Sequence, residues 1–330
     1  MRLLLLGGPK FLGRAVIDAA LERGHEVTLF NRGTTGAGLY PWLERIIGDR
    51  DGGLDGLSGR SWDAVVDTSG YLPRVVGASA RLLADAVAHY VFVSSISVYA
   101  SFAEVVDESS PVAQLSEPGS EDIHADYGAL KALCEGEVEA ALPGRATAVR
   151  AGLIVGPHDP TGRFTYWPHR VARGGDVLVP GPAWRPVQLV DVRDLADWIV
   201  AAAEERLSGS FNATGPATMG AVIDASRRVS GSTARAVEVD DAFLAAQEVG
   251  EWMELPLWID TRSPDWSRFM EVDASRAVAA GLAFRPLEET VTATLEAAEL
   301  VDGVGLTPER ERELLVAWWS RAGEHPALGS

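Results

Sequence analysis

The chain has 330 residues, 47% hydrophobic and 23% charged, an ordinary globular composition that suits one large domain, or one large domain with a smaller lobe. A formal net charge of -18 disfavours nucleic acid as a partner, because phosphate contacts dominate that kind of affinity. Cys134 is the single cysteine, which excludes an intrachain disulfide and a cysteine-based zinc site and leaves a soluble, cytoplasmic protein as the expectation.

Residues 2–6 (RLLLL) read as an apolar strand. The run is far shorter than the roughly eighteen apolar residues of a membrane span, no other stretch approaches that length, and the glycine turn that follows argues against a signal peptide. That turn, GGPKFLGR at 7–14, leads into the amphipathic AVIDAALERG at 15–24. A glycine turn between strand and helix aims the helix N-terminus at a phosphate. In a Gly-x-x-Gly-x-x-Gly spacing begun at Gly7, Lys10 occupies the middle glycine position and Gly13 the last, with Phe11 and Leu12 between them; these five form the candidate pyrophosphate loop.

The second strand, EVTLF at 26–30, is followed by Asn31, about where a dinucleotide fingerprint expects a ribose-binding acid. An aspartate there would repel a 2'-phosphate. Asn31 removes the repulsion and Arg32 offers a planar fork to the phosphate, so NADP is the expected cofactor and NAD the alternative. Lys10 is a further candidate for that phosphate or the pyrophosphate.

Further apolar runs, DAVVDT (63–68), YVFVSS (90–95) and TAVRAGLIV (147–155), alternate with helical patterns. Continuous apolar strands separated by helices indicate an α/β fold with a doubly wound parallel sheet, whose ligands bind beyond the carboxyl ends of the strands. The YVFVSS run leads into a serine-rich end, where Ser94, Ser95 and Ser97 are candidates to donate to a substrate oxygen.

In DYGALKALCE (126–135) Tyr127 and Lys131 are four apart, on one face of the expected helix. A phenol titrates too high to act as a base at neutral pH unless a cation favours its phenolate. With six tyrosines and two lysines in the chain, only about 0.04 such pairs are expected by chance. The two lysines, Lys10 and Lys131, stand out in a chain that otherwise uses arginine for its cations.

From 156 to 186 the texture turns to glycine, proline and aromatics, then VQLVDVRDLADWIVAAAEE (187–205) returns to strand and helix. Residues 1–155 plus 187–215 are the expected dinucleotide-binding domain, and 156–186 plus 216–330 a smaller, mixed C-terminal substrate lobe. Arg163, Tyr166, Trp167 and Arg185 suit contacts to a polar, sugar-like substrate. His158, Asp159 and His169 lack metal-site spacing, so no metal is expected. The amphipathic stretch at 308–326 reads as a core or oligomer helix.

Taken together, GGPKFLG, SSISVYA, YGALK and VQLVDVRDLADWI resemble the nucleotide loop, serine strand, Tyr-x-x-x-Lys pair and late strand and helix of the extended or atypical short-chain dehydrogenases/reductases, the NAD-dependent epimerase/dehydratase group. The resemblance spans roughly residues 1–215. It implies a Rossmann-type fold, Tyr127 as acid/base, Lys131 as its partner and Ser95 as the oxygen-binding serine, with Asp49 at the adenine and Thr68 and Ser69 along the cofactor. Homodimers are the family's usual assembly.

Departures from the family pattern narrow the reaction. Ile96 and Ser97 replace the acidic pair of the dehydratases, RAGLIVGP (150–157) lacks the asparagine of sugar-nucleotide epimerases, and DTSGYLP replaces the usual HLAA. The expected function is therefore an NAD(P)-dependent oxidoreductase interconverting an alcohol and a ketone on a small polar metabolite. The alternatives are an epimerase of a sugar or nucleotide-sugar, and a non-enzymatic dinucleotide- or RNA-binding protein, against which the intact catalytic set and the charge both argue.

Overall fold

The computed structural model describes residues 1–322; the remaining eight, at the end of the expected lobe and of the 308–326 pattern, lie outside the described residues. The central sheet comprises β1 (Arg2–Leu6), β2 (Glu26–Asn31), β3 (Glu44–Ile47), β4 (Trp62–Asp67), β5 (Val87–Ser95), β6 (Ala146–Ala151) and the strand Gly209–Ala213. All pairings are parallel, and the order from one edge is Gly209–Ala213, β6, β5, β4, β1, β2, β3. The Rossmann-type doubly wound fold is borne out.

Helix α1 (Leu12–Glu22) packs beside the helix Val192–Glu205, and α2 (Pro73–Leu83) beside α3 (Tyr127–Ala141). The RLLLL run shows why this sheet is legible in sequence. Leu3 and Leu5 join Val16, Ile17, Leu195 and Ile199 in one core, whereas Leu4 and Leu6 join Phe30, Val76, Phe92 and Val138 in the other. All four leucines are 0% exposed. A strand covered on both faces has no side to leave polar, and each buried leucine contributes roughly 1.5–3 kcal/mol.

Three features depart from expectation. The strand β3 and the strand Gly209–Ala213 are edge strands with little apolar sequence, ERII and GSFNA, and neither was anticipated. The strand Pro186–Asp191 is not one of the seven, and the chain rejoins the main sheet at Gly209–Ala213, beside β6. The described residues form two compact units: Met1–Ile154, Val190–Gly215 and Val272–Phe284 make the first; Val155–Leu189, Pro216–Glu271 and the described residues from Arg285 onward make the second. Val272–Phe284 was expected in the lobe; Ala277 and Leu282 instead bury in the Leu3/Leu5 core.

In the second unit the strands Asp176–Pro180 and Arg235–Val239 pair in parallel. The helix Pro308–Ala322 is fastened to the first of these by Glu311, which accepts from Arg170 Nε at 2.6 Å and from the Leu178 N–H at 3.1 Å. Trp318 of that helix meets Phe243 edge-on, with ring centroids 4.9 Å apart. Among the described residues no helix is long and apolar enough to cross a membrane, and no three His, Cys, Asp or Glu side chains gather in a way that would hold a metal ion.

Candidate active site

Within the first unit, β1 and β4 are neighbours whose connections lead in opposite directions along the sheet, the switch point at which doubly wound folds bind ligands. A cleft of about 550 Å³ opens there, and Gly7, Lys10, Asn31, Arg32, Asp49 and Ser69 all line it. Gly7 has φ 142°, and a Cβ on it would come within 2.3 Å of Thr68 Oγ1, so the cradle at the end of β1 tolerates no side chain. Thr68 and Ser69 hydroxyls both donate to the Leu6 carbonyl, at 3.4 and 3.1 Å, which fixes the ends of β1 and β4 together.

Phe11 precedes α1 at φ 46°, a conformation rare for a side chain of this size, and no side chain caps the helix. No side chain competes with a ligand for the first N–H groups of α1, although that of Gly13 is already taken by a backbone carbonyl. Leu12 buries its side chain in the core, and Gly13 donates to the Lys10 carbonyl at 3.0 Å within the first turn. Lys10 and Arg32 are exposed on the cleft.

Asn31 lines the cleft and also has a structural task. Its Nδ2 donates to the Gly7 carbonyl at 3.1 Å and its Oδ1 accepts from the Gly33 N–H at 2.9 Å. Each end of the amide makes one bond, so Asn31 clamps the glycine loop to the turn that carries Arg32 and keeps one N–H and one lone pair for a further partner. Asp49 accepts from the Asp51 N–H at 2.9 Å and shapes the loop after β3.

Tyr127 begins α3, half-buried, with its ring 6.5 Å from that of Tyr71. Gly128 brings it there: a Cβ at this position would lie 1.9 Å from the Ser97 carbonyl oxygen, so only glycine lets the helix start rest on the turn after β5. In that turn Ser95 Oγ accepts from the Ser97 N–H at 3.1 Å and donates to Ser97 Oγ at 3.0 Å. The phenol-bearing end of α3 and the serine turn are therefore packed backbone to backbone.

One helical turn further, Lys131 is only 4% exposed. Its Nζ donates to the Gly70 carbonyl at 2.7 Å and the Val93 carbonyl at 2.6 Å, and lies 4.3 Å from the Phe92 ring centroid. An ammonium has three donors, so two tie α3 to the ends of β4 and β5 and one remains. Burial lowers the Lys131 pKa to about 8, against the attraction of Asp67.

With a folded pKa of about 8 below the ordinary 10.5, the folded protein binds fewer protons than the unfolded chain between those values, so stability rises with pH across that window. Urea unfolding of wild type and Lys131→Met at both ends of the window should show wild type gaining about 3 kcal/mol on the variant. A constant difference would mean that Lys131 titrates normally.

Beneath the cleft lies a cluster that sequence inspection missed. Arg50 lines the cleft and places its fork on Asp67, with Nη1–Oδ1 at 2.6 Å and Nη2–Oδ2 at 2.5 Å. Asp67 is 0% exposed and also accepts from Tyr90 Oη at 2.8 Å and the Ser69 N–H at 3.1 Å. The only sequence signal was an aspartate closing an apolar strand, which needs a cation partner once buried.

The substrate candidates fall in the second unit, and two of them are core. Trp167 is 0% and Tyr166 2% exposed, with the rings packed edge to face at 5.0 Å and the Trp167 indole donating to the Pro256 carbonyl. Their bulk fills that unit's interior and is closed to a ligand. Arg163 lies over the Trp252 ring at 4.8 Å. Arg185 is buried and paired with Asp241.

Residues 59–213 match the NAD dependent epimerase/dehydratase family. The family resemblance is borne out over this segment. A 2-alkyl-3-oxoalkanoate reductase of Stenotrophomonas maltophilia is 32% identical over 184 residues, 48% of this chain and 52% of the reductase, so the chain spans about half the length of that curated relative. The fold is similar to that of the Bordetella bronchiseptica enzyme WbmH in complex with NAD+, with TM-score 0.62 at 18% identity over 88% of this chain and 96% of the other. It is also similar to the human epimerase family protein SDR39U1 with NADPH, with TM-score 0.58 at 22% identity over 90% and 99%. The family segment contains α3, the serine turn and β4; the glycine loop lies before it.

Proposed function

We propose that this protein is an NAD(P)-dependent oxidoreductase of the short-chain dehydrogenase/reductase type that interconverts an alcohol and a ketone, with NADP preferred. The docking of the Tyr127 helix start on the Ser95–Ser97 turn, in the same unit as the glycine cleft, supports this most directly.

The residues present fit a dinucleotide. The cradle at Gly7 would be filled by any Cβ, the α1 N-terminus is uncapped, and Lys10 and Arg32 bring positive charge to a cleft in an otherwise acidic protein. A bound nicotinamide dinucleotide supplies or accepts the hydride. Tyr127 gives or takes the hydroxyl proton, Ser95 turns its single hydroxyl proton from Ser97 Oγ to the substrate oxygen, and Lys131 keeps positive charge at the carboxyl ends of β4 and β5, near the start of α3. Asn31 holds the loop geometry; Asp49 and Ser69, which line the cleft, and Thr68 beside Gly7 would border a bound nucleotide.

Replacing Lys10 by Gly or Arg32 by Ala should each narrow the NADP over NAD affinity ratio, by roughly tenfold if one charged contact to a 2'-phosphate is lost. Titration with both dinucleotides measures this, and an unchanged ratio in both variants would leave NADP without support. Mass spectrometry of the protein as purified, followed by nicotinamide absorbance with a 2-alkyl-3-oxo acid, tests the reaction class. The family match also admits an epimerase, which would turn over without net change in that absorbance.

A further inference from the structure

The second unit contains a pocket of about 280 Å³ walled by Trp184, Trp266, Phe269, Met270, Leu257 and Ile259. Its aromatic walls are open to solvent: Trp184 is 74% and Trp266 47% exposed, which is costly for side chains of that size unless something covers them. Trp266 and Phe269 stand 5.5 Å apart at 56°, presenting angled ring faces.

The polar groups at this pocket are already engaged. Arg185 donates through Nε to the Gly181 carbonyl at 2.9 Å, through Nη1 to the Ile259 carbonyl at 3.3 Å, and through Nη2 to Asp241. Asp241 in turn accepts from the Trp258 indole at 3.0 Å and from Thr261 Oγ1 at 2.6 Å. The cation is thus neutralised and its fork occupied, and the other ionisable residue lining the pocket is Glu271, an acid. An incoming phosphate would meet a compensated arginine and a carboxylate.

We propose that this pocket binds an uncharged apolar group of a small molecule, a hydrocarbon ring or chain, and does not bind a nucleotide or sugar phosphate. In naming that molecule as the substrate the inference rests on the oxidoreductase assignment; in naming the site it does not. The volume matches part of a ligand rather than a whole one. Ring faces, a thioether and branched aliphatics gain from excluding water around such a group, and among the described residues that line the pocket no buried side-chain donor is left without a hydrogen-bond partner.

The neutral dye N-phenyl-1-naphthylamine tests this through its own emission and energy transfer from tryptophan. Saturable binding at one site is expected, weakened at least about tenfold in Trp266→Ala and in Trp184→Ala, the second of which removes a side chain that is 74% exposed. Trp42→Ala, equally exposed but in the first unit, should bind as wild type. Octan-2-one or acetophenone should displace the dye and uridine diphosphate should not. Absence of saturable binding, indifference to both pocket variants, or displacement by uridine diphosphate alone would overturn the proposal. Tyr127→Phe should bind the dye normally, so a failed reaction assignment and a failed pocket assignment give different results.

Discussion

Tyr127→Phe is expected to lower ketone turnover by about a hundred- to ten-thousandfold while leaving dinucleotide affinity within about twofold. The substitution removes one hydroxyl and keeps the ring that stands beside Tyr71, so the packing of α3 on the serine turn should survive. Steady-state rates and a dinucleotide titration on the same preparation separate the two quantities. Loss confined to KM would make the phenol a binding group; unaltered turnover would remove it from the chemistry altogether. Ser95→Ala should lower both turnover and stability, because its hydroxyl also holds the Ser97 N–H in the turn.

The second large effect is expected at Arg50. Arg50→Ala leaves the fully buried Asp67 carboxylate with the Tyr90 hydroxyl and the Ser69 N–H as its donors and no cation on it, and should destabilise the protein by about 3–5 kcal/mol. Urea unfolding measures this. Removing both charges together, as Arg50→Met with Asp67→Leu, should recover much of the loss, since the cost arises from an uncompensated charge and not from the missing attraction. Equal losses in the single and double variants would show that the pair matters for shape alone. Because Asp67 also holds the Ser69 N–H at the edge of the cleft, weaker dinucleotide binding should accompany the loss of stability.

The parts of the fold that were legible are those in which burial is two-sided. RLLLL, DAVVDT and YVFVSS announce themselves because a parallel strand covered by helices on both faces cannot afford alternation. The two edge strands were illegible for the opposite reason: Ile47 of β3 is 62% exposed, and GSFNA has a single large apolar side chain. The glycine loop and the Tyr127–Lys131 pair were readable because both depend on short spacings along one chain segment. Trp167 and Tyr166 were misjudged because an aromatic beside an arginine looks the same in sequence whether it faces a ligand or fills a core.

By itself the sequence determined the winding of the sheet, the glycine turn at the end of β1 and the helix face shared by Tyr127 and Lys131, since each follows from residue periodicity or from contacts a few positions apart. Only the tertiary structure decided how the polar groups are used. Arg50 meets Asp67 across 17 positions and Tyr90 meets it across 23, Asn31 reaches back 24 to Gly7, Lys131 spans 61 to Gly70, and Arg185 spans 56 to Asp241. A buried hydrogen-bonding group takes whichever partner the packed backbone brings within about 3 Å, and no local pattern records that choice.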